Sequence, residues 1–246
     1  MQDPVLILGA TGAIGGAIAN RLSVTSPIIV HGRNKSKLAL LKDELSIGSK
    51  YRVDTYSVDL KREDEVQSFF DKMAVECKSL SGIVFSVAQP FANKLTHNIP
   101  WKDFSDQIDS QLKSLHFVVQ NALPLLKRCK DGARLVILST EFLIGAPPIK
   151  TAPYVSSKAA LTAYSRVLSQ EWLKHNIRVH ILAPGMVKSS LTSDMPDRYL
   201  DEVAKSMPEK QLTTVDDVAD MVEFLMTPKA DMLYGNIIHA SRSVRR

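Results

Sequence analysis

The hydrophobic pattern of this chain alternates between short solid runs and longer stretches with helical spacing. Val5-Leu6-Ile7-Leu8, Ile28-Ile29-Val30 and Ile83-Val84-Phe85 are apolar at every position. Such runs suit strands buried on both faces rather than one. Between them, apolar residues recur at helical spacing. The pattern predicts strands at 5–8, 27–31, 53–58, 83–87, 134–139, 177–182 and 236–239. Helices are expected at 13–22, 36–45, 63–77, 101–126, 152–175 and 215–226. Pro124 should disturb the last turn of the 101–126 helix, and Pro184-Gly185 should stop the sixth strand. Short apolar strands alternating with helices imply a parallel sheet, and right-handed crossovers then give an α/β, doubly wound fold with helices on both faces. One domain over 1–246 accounts for the whole pattern, because no linker, repeat or low-complexity tract divides it. In such sheets ligands bind beyond the carboxyl ends of the strands. Residues that follow strands are therefore the candidates for function.

The first strand is followed by Gly9-Ala10-Thr11-Gly12-Ala13-Ile14-Gly15, which opens the first helix. Glycines let the backbone turn sharply and approach a pyrophosphate, while the helix N-terminus offers free N–H groups and the positive end of its dipole. Placed between strand and helix, this stretch points to a dinucleotide. The end of the second strand bears on which one. An acidic residue there would hold ribose hydroxyls, but this chain has His31-Gly32-Arg33-Asn34, with Lys35 and Lys37 behind. Arg33 can pair with a 2′-phosphate, so NADPH is expected over NADH. Asp59, after the third strand, can accept a hydrogen bond from an adenine amino group or serve a turn or helix cap.

Tyr154-Val155-Ser156-Ser157-Lys158 places a phenol and an ammonium four residues apart on a predicted helix, hence on one face. A free tyrosine has a pKa of about 10 and exchanges protons poorly near neutrality. A nearby cation favours the phenolate and lowers that value, and a tuned tyrosine can then serve a carbonyl or alcohol oxygen. Alone, this spacing is common.

Composition narrows the partners. The 246 residues are 45% hydrophobic, carry a net charge of +5 and have a sequence pI of about 9.1. Most basic residues are scattered, clustering only at Lys127-Arg128-Cys129-Lys130 and in the tail at Arg242, Arg245 and Arg246. This suits a solvated surface and anionic small ligands better than nucleic acid. No apolar run reaches bilayer-spanning length, and the first residues lack a signal-peptide pattern. Two cysteines, Cys77 and Cys129, form neither a disulfide framework nor a metal-ligand pattern, so no metal is expected and a cytoplasmic setting is the default.

Taken together, the glycine-rich turn, Asp59-Leu60, Tyr154 with Lys158, and Pro184-Gly185-Met186-Val187 resemble the short-chain dehydrogenase/reductase family in order and spacing. The likeness runs nearly end to end. It implies a Rossmann-like fold and cofactor contacts from Gly9, Thr11, Gly12, Ala13, Ile14, Gly15, Arg33, Asn34, Asp59, Leu60, Ala88, Tyr154, Lys158, Pro184, Gly185 and Val187. It implies Tyr154 as proton donor and acceptor, with Lys158 lowering its pKa and binding the nicotinamide ribose. The serine that positions the substrate oxygen falls at Thr140, with Ser139 in reserve, and both could instead cap the strand end. The asparagine that holds a proton-relay water corresponds to Gln111.

The chain also departs from the family. Ala13 stands where the second glycine of the usual pattern would be. Asn-Asn-Ala-Gly after the fourth strand is Ser86-Val87-Ala88-Gln89, and the C-terminal Asp-Gly-Gly is Ser241-Arg242-Ser243.

The expected chemistry is hydride transfer between NADPH and a carbonyl. Phe142-Leu143-Ile144 and the segment 186–226, read as a mobile substrate lid, offer apolar walls suited to acyl chains, steroids or aromatic ketones, or equally core or oligomer contacts. Lys127, Arg128, Lys130 and Lys174 form an ordinary solvated helix end or, by resemblance, the surface that ketoacyl reductases of the family present to an acidic acyl carrier protein; on the second reading a 3-oxoacyl thioester leads among substrates. Two alternatives are an NADP-binding protein with little catalysis and a nucleotide-sugar epimerase or dehydratase. The resemblance implies a homodimer or homotetramer built on the 101–126 and 152–175 helices, which carry apolar residues on more than one face.

Overall fold

The apolar runs pair into one parallel sheet in the computed structural model, which describes residues 2–189, 191–192 and 195–242. Its strands are β1 (Val5–Leu8), β2 (Ile28–Gly32), β3 (Val53–Ser57), β4 (Gly82–Phe85), β5 (Ala133–Leu138), β6 (Ile177–Pro184) and β7 (Ile237–Ala240). The spatial order is β3-β2-β1-β4-β5-β6-β7. The chain winds outward from β1 to β3, then crosses back to place β4 on the other side of β1. The crevice at this reversal, beyond the carboxyl ends of β1 and β4, is where such sheets bind ligands.

Alternate strand residues feed two cores. Leu6, Leu8, Ile83, Phe85, Leu135 and Ile137 face one side. They pack with α3 (Glu63–Glu76), α5 (Ser114–Leu126) and α6 (Ala152–Leu173). Val5, Ile7, Val84, Val136 and Leu138 face the other, against α1 (Ala13–Ser23), α2 (Lys35–Gly48) and α8 (Val215–Leu225). Burial on both faces is why these strands show no polar alternation.

Two features differ from the sequence expectation. The 101–126 helix is interrupted: α4 (Trp101–Ile108) passes through a π-helical turn at Asp109–Lys113 into α5. The Ser114 hydroxyl donates to the Asp109 carbonyl five residues back, 2.9 Å away, which supports the wider turn. Pro124 lies in the last turn of α5, which ends at Leu126 as expected. The lid region contains an unforeseen helix, α7 (Asp197–Ser206). Its Leu200 and Val203 join Phe142, Met186, Met195 and Tyr154 in a small third apolar cluster.

Arg134 on β5 is buried and grips Asp231 with two nitrogens, Nε to Oδ1 at 2.8 Å and Nη2 to Oδ2 at 3.0 Å. Removing the carboxylate strands a buried cation. Asp231→Ala is expected to lower stability by about 3 kcal/mol in urea unfolding, the low end for a buried pair because Asp231 is partly solvated. A loss below about 1 kcal/mol would show that the guanidinium finds water instead.

Candidate active site

The turn after β1 is built by close backbone contacts. Gly9 has φ +85°, and a Cβ there would lie 2.7 Å from the Ser86 carbonyl. A Cβ on Gly15 would overlap the Gly9 carbonyl, so α1 can start directly against the turn. The N-cap of α1, Gly12, makes no side-chain hydrogen bond, whereas Asn34 and Thr214 cap α2 and α8. Ala13, Ile14 and Gly15 line the cleft, so the uncapped first turn of α1 opens onto it. This arrangement fits an anionic phosphate group.

His31 holds the turn in place. Its Nε2 lies 2.9 Å from the Val58 carbonyl, which can only accept, so Nε2 carries the proton. Nδ1 then accepts from the Gly9 N–H at 3.3 Å. Burial lowers the His31 pKa from 6.5 to about 4. Above pH 6.5 the ring is neutral in both folded and unfolded chains. As pH falls from 6.5 to about 4 the unfolded chain takes up a proton that the folded one refuses, so stability declines across that window, by at most about 3 kcal/mol from this group. His31→Phe should therefore retain more of its neutral-pH stability at pH 4.5 than the unsubstituted protein, by urea midpoint. Equal losses in the two proteins would contradict this.

At the end of the cleft near β2 and β3, Arg33 and Lys37 are exposed on the wall, joined by half-buried Lys61. Asn34 does not line the cleft; its Oδ1 accepts from the Lys37 N–H at 2.9 Å as the cap of α2. The expected cofactor contact by its side chain is replaced by this local role. Asp59 lines the cleft and also stiffens a turn, its Oδ1 accepting from the Lys61 N–H at 3.1 Å. The α3 N-cap itself is Arg62.

At the other end, β5 delivers Ser139 and Thr140. Ser139 Oγ bonds Thr162 Oγ1 at 2.6 Å, tying it to α6. Thr140 Oγ1 accepts from the Phe142 N–H at 3.3 Å and interacts with the Tyr154 phenol. Of the two hydroxyls expected from sequence, Thr140 is the one at the tyrosine.

Lys158, buried one helical turn beyond Tyr154, donates from Nζ to the Leu138 carbonyl at 2.6 Å, and Nζ lies 6.0 Å from the Tyr154 ring centre. The expected lowering of the phenol pKa by Lys158 is not what the structure gives. Burial pushes the phenol up, with the Thr140 hydroxyl pulling the other way, and burial lowers the lysine to about 7.

Gln111 is also placed differently from its expected role. It is fully buried and does not line the cleft; Ser110 and Ser114, beside it on the π-helical turn, do. Its Nε2 donates to Ser157 Oγ and to Gln107 Oε1.

The remaining expected residues, Thr11, Leu60, Ala88, Pro184, Gly185 and Val187, all line one continuous cleft of about 410 Å³. Ser86, Val87 and Gln89 of the altered segment line it too. Glu141, unforeseen, is buried behind it and accepts from the Met186 N–H at 3.2 Å and from Ser241 Oγ at 2.5 Å. Arg242 pairs with Asp217 and Glu209, so it is not a free tail cation; Ser243, Arg245 and Arg246 lie outside the described residues. Among the described residues no cluster of three or more His, Cys, Asp or Glu could hold a metal, and no helix is long and apolar enough to cross a membrane.

A family model described as Enoyl-(Acyl carrier protein) reductase matches residues 9–242, from the glycine turn to the strand-end segment after β7. The chain belongs to the short-chain dehydrogenase/reductase family. Among relatives of this family, the 3-oxoacyl-acyl-carrier-protein reductase of Rickettsia conorii is 30% identical over 243 residues, covering 96% of this chain and 94% of its own. Nodulation protein G of Rhizobium meliloti is 27% identical over 237 residues, with the same shares covered. A solved 7α-hydroxysteroid dehydrogenase, complexed with NADH and 7-oxo glycochenodeoxycholic acid, superposes with a TM-score of 0.90 at 21% identity, over 99% of this chain and 95% of its own. That likeness shows the fold.

Several cleft residues escaped the sequence reading. Lys61 follows Asp59 in a turn, and Ser110 and Ser114 flank the position read as functional, so local signals existed for these. Phe91 carried none: its ring stacks on Tyr154, 63 residues away in sequence, with ring centres 5.0 Å apart and planes 21° apart.

Proposed function

We propose that this oxidoreductase is an NADPH-dependent reductase that converts a neutral, apolar carbonyl compound to an alcohol, with Tyr154 as proton donor. The observation that carries this reading is the convergence of Tyr154, Thr140 and Lys158 on the wall of the cleft whose other end is the uncapped start of α1. Arg33, Lys37 and Lys61 favour a cofactor with an added 2′-phosphate. Gly9, Thr11, Gly12, Ala13, Ile14 and Gly15 would hold the pyrophosphate, with Leu60, Ala88, Pro184, Gly185 and Val187 along the rest of the dinucleotide.

A bound nicotinamide supplies the hydride, and the chain handles proton and charge. Thr140 Oγ1 accepts from the Phe142 N–H, which leaves its own proton to donate to the substrate oxygen. That bond strengthens as charge builds on the oxygen. Tyr154 gives its proton to the same oxygen, and its raised pKa keeps the phenol protonated until then. Lys158, with a pKa near 7, can exchange a proton at neutral pH and help reset the phenol.

At the substrate end the lining is Phe91, Phe142, Met186, Leu191 and Met195, and Lys158 is the charged group there among the described residues. A neutral carbonyl flanked by hydrocarbon suits it. A 3-oxoacyl thioester is the leading candidate, in keeping with the name of the Rickettsia conorii relative. The exposed Lys127, Arg128, Lys130 and Lys174 sit where α5 and α6 lead into β5 and β6. That edge of the sheet is opposite the cleft.

Placement of Gln111 outside the cleft favours a second reading, a protein that binds NADP and turns over little. NADPH consumption against 3-oxoacyl thioesters and simple ketones separates the two. Turnover supports the reductase; tight NADPH binding without turnover on any carbonyl supports the binder.

A further inference from the structure

Behind Tyr154 a chain of buried hydrogen bonds runs from α6 to the loop after β4. Ser157 Oγ donates to the Tyr154 carbonyl at 2.8 Å, which uses its proton and leaves the oxygen to accept. Gln111 Nε2 donates to that oxygen at 2.9 Å and to Gln107 Oε1 at 3.3 Å. Gln107 Nε2 donates to the Pro90 carbonyl at 2.9 Å and the Gln89 carbonyl at 3.4 Å. Each end of the ladder is fixed by a backbone carbonyl, which can only accept, so the orientations of both amides follow from the network. Both glutamines are almost wholly buried, which strengthens the bonds they make, while Gln111 Oε1 is buried with no partner among the described residues.

The loop held this way has no regular secondary structure, and it carries Phe91. Phe91 stacks on the Tyr154 ring, while Phe142 meets that ring edge-on, with centres 6.3 Å apart and planes at 78°. The phenol is bounded by aromatic walls. Carbon groups on either side of a carbonyl bound at the phenol oxygen must run along them.

We infer that Phe91 is the residue that sorts substrates at this site, and that Gln107 and Gln111 are positioning residues that hold its loop over Tyr154. This rests on the reductase reading. In this chain Gln111 braces the substrate loop instead of lining the cleft, and the site favours narrow or unbranched ketones over bulky ring ketones. Phe91→Ala opens the slot. Gln107→Leu removes the amide that grips Gln89 and Pro90 and loosens the same wall from a distance.

The test compares the unsubstituted protein, Phe91→Ala and Gln107→Leu with NADPH and two neutral probes, 2-nonanone and trans-1-decalone. In Phe91→Ala the ratio of kcat/KM for decalone to that for nonanone rises about tenfold, mainly through KM, a size typical of hydrophobic pocket discrimination. Gln107→Leu moves the ratio in the same direction by a smaller factor. Calorimetric affinities of the two ketones for the NADP-loaded proteins report the same ratio without turnover. A shifted affinity ratio with no turnover of these ketones or of a 3-oxoacyl thioester in any protein supports Phe91 as the wall that sorts bound carbonyl compounds and removes the reductase reading. Turnover with both ratios unchanged within twofold overturns the sorting role and leaves the reductase. A Gln107→Leu protein with a lower Tm but an unmoved ratio overturns the positioning role of the ladder.

Discussion

Tyr154→Phe is expected to lower kcat about 10³-fold or more while leaving NADPH affinity within about twofold, the loss typical of removing a general acid. The phenylalanine keeps the ring that stacks with Phe91 and meets Phe142. It removes only the oxygen that faces Thr140. Packing of the third apolar cluster is thus preserved, and the loss reads on chemistry. The raised phenol pKa sharpens the expectation, because a protonated phenol is the form required to deliver a proton during carbonyl reduction. Stopped-flow NADPH oxidation, with fluorescence titration of NADPH binding, measures both quantities. Retention of more than a tenth of kcat would remove Tyr154 as the proton donor.

The second large effect is on cofactor choice. Arg33→Ala is expected to raise the KM for NADPH about 30-fold and to leave that for NADH nearly unchanged. Hydrogen bonds to charged groups contribute about 1.5–3 kcal/mol, which spans this factor. Arg33 is exposed on the cleft wall and pairs with no carboxylate among the described residues, so its charge is available to a phosphate. Lys37 and Lys61 remain in the variant and set a floor on the loss. The effect should shrink with added salt, because the pair is solvent-exposed. Steady-state kinetics with both cofactors at low and high ionic strength check it. Equal changes for NADPH and NADH would place Arg33 outside the 2′-phosphate site.

The sheet was legible because strands buried on both faces leave solid apolar runs, as in Val5-Leu6-Ile7-Leu8. Glycine spacing located the tight turn after β1 because Gly9 needs a positive φ and Gly15 a close backbone contact. The π-helical turn was not legible, since Asp109–Lys113 carries the same polar pattern as an ordinary helical turn. Asn34 was misread because an asparagine after a strand can serve a ligand or cap the next helix, and the cap is what it does. The sign of the Tyr154 shift depends on burial, which spacing along a helix does not report. α7 left a signal in Leu200, Val203 and Met207 after Pro196, too brief to separate from loop. The contacts of Gln111 and Phe91 were beyond reach for one reason: their partners, Ser157 and Tyr154, meet them only through tertiary contact.

The central claim is hydride delivery to a carbonyl at Tyr154. Incubation of the protein with NADPH deuterated at the transferring C4 position and a 3-oxoacyl thioester, followed by mass spectrometry of the product, tests it most directly. The account predicts one deuterium on the new carbinol carbon, absent with Tyr154→Phe. Recovery of the unreduced thioester and of a panel of simple ketones, with the labelled cofactor bound but unconsumed, would contradict it.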